Sequence, residues 1–149
     1  MKAVVTRVNS ASVSIDGAVH GMIGKGFLIL LGIGPEDTPA LCRKLAEKVL
    51  GLRVFRDEKD KMNRSLADIG GSVLVVSQFT LYGDVSHGRR PSFIGAAKPE
   101  LAIPLYEKFL AECERLGFPP QHGEFGAYMQ VASENDGPVT LIVDTDDLR

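Results

Sequence analysis

The sequence predicts an α+β fold, with a largely antiparallel sheet of seven or eight strands and two main helices. Three observations predict it. Apolar stretches of strand length come in runs and do not alternate one for one with helical stretches. Residues 10–15, Asp16-Gly17 and residues 18–23 read as a β-hairpin closed by an Asp-Gly turn. Two segments, starting near Pro39 and at Pro99, carry apolar residues at helical spacing behind a proline placed where a first turn tolerates it.

Taken in order, residues 2–8 alternate in part and form a strand, and the hairpin follows. Gly24-Lys25-Gly26 breaks the chain before Phe27-Leu28-Ile29-Leu30-Leu31-Gly32-Ile33, an apolar run too short to cross a membrane and suited to a central strand. Gly32 and Gly34 at its end are no phosphate loop, because the lysine and Ser/Thr of that motif are missing. Asp37 or Thr38 caps a helix from Pro39 to about Leu50. Its Leu41, Leu45, Ala46, Val49 and Leu50 share one face, and Arg43, Lys44, Glu47 and Lys48 form a solvated one. Gly51 ends it, residues 52–55 read as a short strand, and residues 56–61 as a charged turn.

The second helix starts at Pro99, with Leu101, Leu105, Phe109 and Leu116 on its buried side. Pro104 predicts an early kink or a late start. Gly117 caps the far end, and Pro119-Pro120 prevent continuation. Phe125, Ala127, Met129 and Val131 alternate with Glu124, Gly126, Tyr128 and Gln130 and read as a strand. Asn135-Asp136-Gly137 is an ordinary turn signal between two strands, and sequence alone favours a trans bond before Pro138. Val139, Leu141 and Val143 form the last strand, and residues 144–149 read as a frayed tail.

With 149 residues the chain makes one domain, long enough to bury about 68–70% of its unfolded surface. Hydrophobic residues at 44% and charged residues at 24% are those of a globular protein, and no apolar run approaches a membrane span. Met1-Lys2-Ala3-Val4-Val5 alternates like a strand and lacks the long apolar core of a signal peptide. Cys42 and Cys113 both fall in helical segments and read as reduced, buried residues, which fits the cytoplasm. A net charge of −2 argues against a protein that coats nucleic acid generally, although it leaves room for a local basic patch.

The most informative stretch begins with Val73-Leu74-Val75-Val76, a strand buried on both faces. Ser77, Gln78, Phe79 and Thr80 follow directly, then a loop with Gly83, Asp84, His87, Gly88 and the pair Arg89-Arg90. Polar groups delivered by the end of a rigid strand are a common way to present a site, and a core strand running into a solvated loop is the plainer alternative. His20, His87 and His122 share no metal spacing with one another or with the cysteines, so no metal site is expected. There is no Gly-x-Ser-x-Gly elbow. Thr80 is the one hydroxyl in the strongest motif that can serve as a nucleophile. The reading favoured here is that it caps a turn, since no base with an orienting carboxylate is evident around it; His87 with Asp84 is the only conceivable source.

The run SQFTLYGD, then GRRPSF and Gly95-Ala96-Ala97, then MQV and NDGPVT, resembles the D-aminoacyl-tRNA deacylase family over essentially the whole chain. The resemblance implies a cytoplasmic homodimer whose sheets combine into a barrel-like core. It implies cleavage of D-amino acids from the 3′ end of aminoacyl-tRNA, with no metal or organic cofactor. Ser77, Gln78, Phe79 and Thr80 then form the catalytic segment. Backbone amides near Phe79 and Thr80 face the developing oxyanion, and the 2′-hydroxyl of the terminal adenosine assists. The pair matching Gly137-Pro138 is cis in the family and enters the partner's site, where its carbonyl oxygens hold the substrate amino group and an L side chain meets backbone. Glycine has no side chain to reject, so glycyl-tRNA is an expected substrate. Arg7 resembles the arginine that steadies this loop, and Phe79 and Met129 resemble pocket residues. Arg89 and Arg90 are placed for RNA phosphates or the adenosine end, with a plain solvated loop as the alternative for either one singly. Gly83, His87 and Ser133-Glu134 depart from the family pattern and bear on loop stiffness and RNA contact. Two rivals remain from other classes: a non-catalytic RNA- or nucleotide-binding dimer, and a small-molecule esterase with Thr80 as nucleophile.

Overall fold

The computed structural model describes every residue from Met1 to Arg149. Its organising element is β1 (Lys2–Ile15), one continuous strand where the sequence predicts two. One edge of β1 pairs antiparallel with β3 (Gly26–Gly32) over residues 2–8 and then with β2 (Ala18–Ile23) over residues 11–15. The change of partner, not a break in β1, accounts for the interrupted alternation in its sequence. The other edge pairs antiparallel with β8 (Gln130–Asp144) from Lys2 to Ser14.

From β3 the sheet continues through two parallel neighbours, β6 (Ser72–Ser77) and β7 (Gln121–His122). Parallel pairing requires a long crossover, and the segments between β3 and β6 and between β6 and β7 carry the helices α1 (Pro39–Leu50) and α3 (Pro99–Arg115). The sheet curls until its ends approach. A Cβ on Gly21 would lie 3.0 Å from the carbonyl oxygen of His122, and Nδ1 of His20 lies 2.8 Å from that same oxygen. The result is the expected α+β architecture with a nearly closed barrel-like sheet, more parallel than expected around β6.

β3 explains the uninterrupted apolar run, because both its faces are covered. Phe27, Ile29 and Leu31 join the larger core with Leu45, Val49, Leu105 and Phe109 of the helices. Leu28 enters a second core with Val8, Val13, Leu74 and Val76. Thr38 caps α1, its hydroxyl accepting the Leu41 amide at 3.4 Å, and α1 buries the residues its spacing predicts apart from Leu41. Pro104 lies inside α3 without stopping it. The proline removes a donor to the carbonyl of Glu100, and both residues face solvent, where water can replace it. Arg115 ties the two helices together, reaching Glu112 at 2.5 Å and Glu47 at 3.0 Å.

Several segments depart from the sequence reading. The strand expected at residues 52–55 shrinks to β4 (Phe55–Arg56), which pairs with β5 (Met62–Arg64); α2 (Leu66–Ile69) follows. Residues 144–149 are not frayed. The Thr145 amide donates to the Met1 carbonyl at 2.9 Å, Thr145 is buried, and residues 145–147 form a 3-10 turn.

The cysteines sit in the larger core as free thiols. Burial pushes the Cys42 thiol up to about 11 and the Cys113 thiol up to about 12. At pH 8 both thiols are then protonated, and the thiol is the unreactive form. A disulfide reagent at pH 8 is expected to leave both cysteines of the native protein unmodified and to titrate both in denaturant. Rapid native-state labelling would contradict the packing described here.

Candidate active site

β6 carries the polar segment to the edge of the sheet. Val73 to Val76 are buried, Ser77 is half-buried, and the Gln78 amide extends the pairing by donating to the Leu31 carbonyl at 2.8 Å. The backbone then turns into a short 3-10 helix, Phe79–Tyr82. Its first amides, those of Phe79 and Thr80, have no partner within the helix, as at any helix start.

Beside this turn lies a cavity of about 250 Å³, lined mostly by apolar groups. Ser77, Gln78 and Phe79 form one wall, Phe125 to Met129 with Val131 form the facing wall, and Leu31, Ile33 and Ala102 lie below. Four of the site residues expected from sequence are thereby brought together: Ser77, Gln78, Phe79 and Met129. Residues 124–129 are not the strand their alternation predicts. Gly126 takes φ +80°, the Ala127 amide bonds back to Glu124, and the ladder begins only at Gln130. The alternation is real and has another purpose, with Phe125, Ala127 and Met129 half-buried on the cavity side and Tyr128 exposed at 86%. Gly123 makes room for this wall, since a Cβ there would collide with the Met129 sulfur. Phe125 and Tyr128, whose alternation predicts a strand, and Gly123, which carries no signal in the sequence, are site elements.

Thr80 does not line the cavity. Its hydroxyl accepts a close hydrogen bond from the Gln78 side-chain amide. His87 is bonded to the Ser86 hydroxyl, and the Asp84 carboxylate accepts the Ser86 amide at 2.9 Å. The Ser86 hydroxyl and amide hold the Asp84 carboxyl below the usual carboxylate range. The His87–Asp84 relay that a Thr80 nucleophile needs is absent from these contacts.

Gly137 and Pro138 also lie outside the cavity of their own chain. Between the pairs Thr6–Thr140 and Val8–Asn135, the single residue Arg7 of β1 faces four residues of β8. The Asn-Asp-Gly segment is therefore a bulge and not the turn between two strands expected from sequence, because both flanks pair with the same neighbour. The Asn135 side chain closes its base, accepting the Val139 amide at 3.0 Å and donating to the Thr140 hydroxyl at 3.1 Å. Arg7 holds it from below. This buried guanidinium donates to the Asp136 carbonyl at 3.0 Å and the Val54 carbonyl at 2.6 Å, and pairs with the Asp136 carboxylate at 3.3 Å. The Gly137-Pro138 bond is cis. Arg89 and Arg90 are exposed on the loop after the 3-10 turn, and no cluster of three or more metal-ligating side chains occurs.

Comparison with known proteins agrees with this architecture. Residues 4–144 match the family described as D-Tyr-tRNA(Tyr) deacylase. A relative from Roseiflexus castenholzii named D-aminoacyl-tRNA deacylase is 58% identical over 145 residues, covering 97% of this chain and 92% of its own. One of the same name from Thermus aquaticus is 56% identical, covering 97% and 95%. A solved structure of a c-Myc DNA unwinding element binding protein superimposes with a TM-score of 0.91 at 44% identity, covering 97% of this chain and 98% of that one. A probable eukaryotic D-amino acid tRNA deacylase shares the fold at a TM-score of 0.82 and 16% identity. In class the protein is a hydrolase acting on ester bonds. It belongs to the D-Tyr-tRNA(Tyr) deacylase family.

Gly137 tests the bulge directly. Its φ of +130° disfavours any L side chain, and a Cβ would lie 2.7 Å from an Arg7 guanidinium nitrogen and 3.0 Å from Val139 Cγ2. Gly137→Ala is expected to destabilise the protein by about 1–3 kcal/mol in urea titration. Activity should fall further than the remaining folded fraction explains. Unchanged stability and rate would contradict this assignment.

Proposed function

We propose that the protein hydrolyses the ester of D-aminoacyl-tRNA, and of glycyl-tRNA, in a site completed by a second copy of the chain. One observation carries the reading. The cavity beside Ser77-Gln78-Phe79 offers a largely apolar wall next to the free first amides of the 3-10 turn but no acid–base relay, and the arginine-clamped Gly137-Pro138 bulge lies outside it. A substrate that brings its own activated ester and a vicinal hydroxyl fits such a site.

In this reading the terminal adenosine enters with its aminoacyl ester against the Phe79–Thr80 amides. Water adds to the ester carbonyl, the amides stabilise the oxyanion, and collapse expels the ribose 3′-oxygen, which takes a proton. The products are the free amino acid and tRNA. The substrate's 2′-hydroxyl assists by hydrogen bonding to the attacking water, so catalysis draws on positioning and electrostatics in place of a protein nucleophile.

Gly137 and Pro138 of the second copy supply carbonyl acceptors for the amino group and crowd the direction an L side chain would take. A long edge supports the dimer. β8 pairs only with β1, and its Val131, Leu141 and Ile142 are exposed, a combination that isolated monomers avoid. Reduced, buried cysteines fit a cytoplasmic setting.

The solved relative named for binding a DNA element favours one alternative, nucleic-acid binding without catalysis. Matched D- and L-tyrosyl-tRNA with glycyl-tRNA separate the two readings. Release from the D and glycyl substrates, L spared, is expected, and the rate should fall at least about tenfold when the terminal adenosine lacks its 2′-hydroxyl. Thr80→Ala should keep most of the activity. Binding of tRNA with no release above the enzyme-free rate would establish the alternative instead.

A further inference from the structure

The segment between the 3-10 turn and α3 carries features that the hydrolytic reading leaves unused. Asp84 and Ser92 form a two-residue antiparallel bridge, with amide-to-carbonyl distances of 2.7 and 2.9 Å, that closes the loop containing Arg89 and Arg90. The Asp84 carboxylate caps the Ser86 amide and stiffens the near side. Beyond the bridge, Phe93 packs its ring edge-on against Phe79 with centroids 5.1 Å apart, over the face of Gly83. The loop ends with the Ala97 amide bonded to the Ile33 carbonyl at 2.9 Å, and Ala97 lines the cavity. The loop is thus anchored to the site at both ends.

Its outer surface is unusual for a protein facing water. Ile94 is 93% exposed and Val85 71%, with Phe93 also exposed. Val85 lies directly beside the bridge residue Asp84, and Phe93 directly beside its partner Ser92. Arg89, Arg90 and Lys98 accompany these apolar groups, and none of them forms an ion pair within the chain. Three free cations against one carboxylate stand out in a chain of net charge −2. Apolar and aromatic groups among unpaired cations match the chemistry of a single-stranded nucleic acid, which offers base faces and phosphates together.

We propose that the loop from Gly83 to Lys98 is the platform on which the unpaired 3′ strand of the RNA lies as its terminal adenosine enters the cavity. Arg89 and Arg90 meet phosphates, and Val85, Phe93 and Ile94 meet the bases preceding that adenosine. Phe93 couples platform to site through Phe79. The proposal rests on the deacylase reading above and adds residues that position RNA without touching the ester.

The test compares two D-tyrosyl esters, one on full-length tRNA and one on adenosine alone. Arg89→Ala with Arg90→Ala, and separately Ile94→Asp, are expected to lower kcat/KM on the tRNA ester about tenfold and to leave the adenosine ester unchanged. The arginine variant should also flatten the dependence of log(kcat/KM) on log[salt] by roughly 0.7 for each phosphate that the protein no longer neutralises. Equal losses on both esters, or no loss on tRNA, would overturn the proposal. So would conversion of Ile94→Asp to a monomer by sedimentation, which would assign the patch to the interface between copies. Failure of the wild-type protein to release either ester would instead remove the deacylase reading itself.

Discussion

The guanidinium of Arg7 is the constraint from which the rest of the arrangement follows. It is 3% exposed and carries a full charge, a placement that is costly unless acceptors surround it. The carbonyls of Asp136 and Val54 and the carboxylate of Asp136 supply them. Those acceptors exist only because β8 leaves the ladder opposite Arg7 and because the segment ahead of β4 passes beneath. One buried charge therefore fixes a bulge in the longest strand of the sheet and the path of a distant loop. Gly137 is required by the same geometry, since the space a Cβ would take belongs to the guanidinium.

The cavity depends on a different constraint, the double burial of β3 and β6. Two apolar cores on opposite faces hold these strands, so the end of β6 is as rigid as any part of the chain. Ser77 to Phe79 inherit that rigidity from the strand they directly continue. The facing wall, Phe125 to Met129, has no ladder of its own and is held by glycine turns and by side chains packed toward the cavity. A rigid wall facing a shaped loop suits chemistry that relies on positioning and not on a protein nucleophile.

Much of this was legible in the sequence where the signal is local. The β6 run and its polar continuation, the span of α1, and the Asp-Gly hairpin are written in composition and periodicity over a few residues. The misread segments take their conformation from distant partners. Residues 124–129 alternate as a strand does, but the alternation serves a cavity wall, and Gly126 turns the backbone where a ladder would continue. Asn135-Asp136-Gly137 carries turn residues, yet Arg7, far away in sequence, decides that the chain bulges and does not reverse. β7 is too short to carry any periodicity, and Thr145 is buried only because it pairs with Met1. A link between Gly137-Pro138 and Ser77–Thr80 is implied by the family resemblance alone, since no periodicity carries it and the two segments lie apart within one chain.

In the proposed site, cavity and bulge are two halves contributed by different copies. Subunit mixing tests this most directly. Chains disabled at Gly137 and chains disabled in the Ser77–Phe79 wall are denatured together, refolded, and assayed on D-tyrosyl-tRNA. If each site needs one half from each copy, random pairing restores about a quarter of wild-type activity from two inactive parents. Activity that stays at the parental level, with mixed dimers shown to form, would place both halves in the same chain and contradict the account.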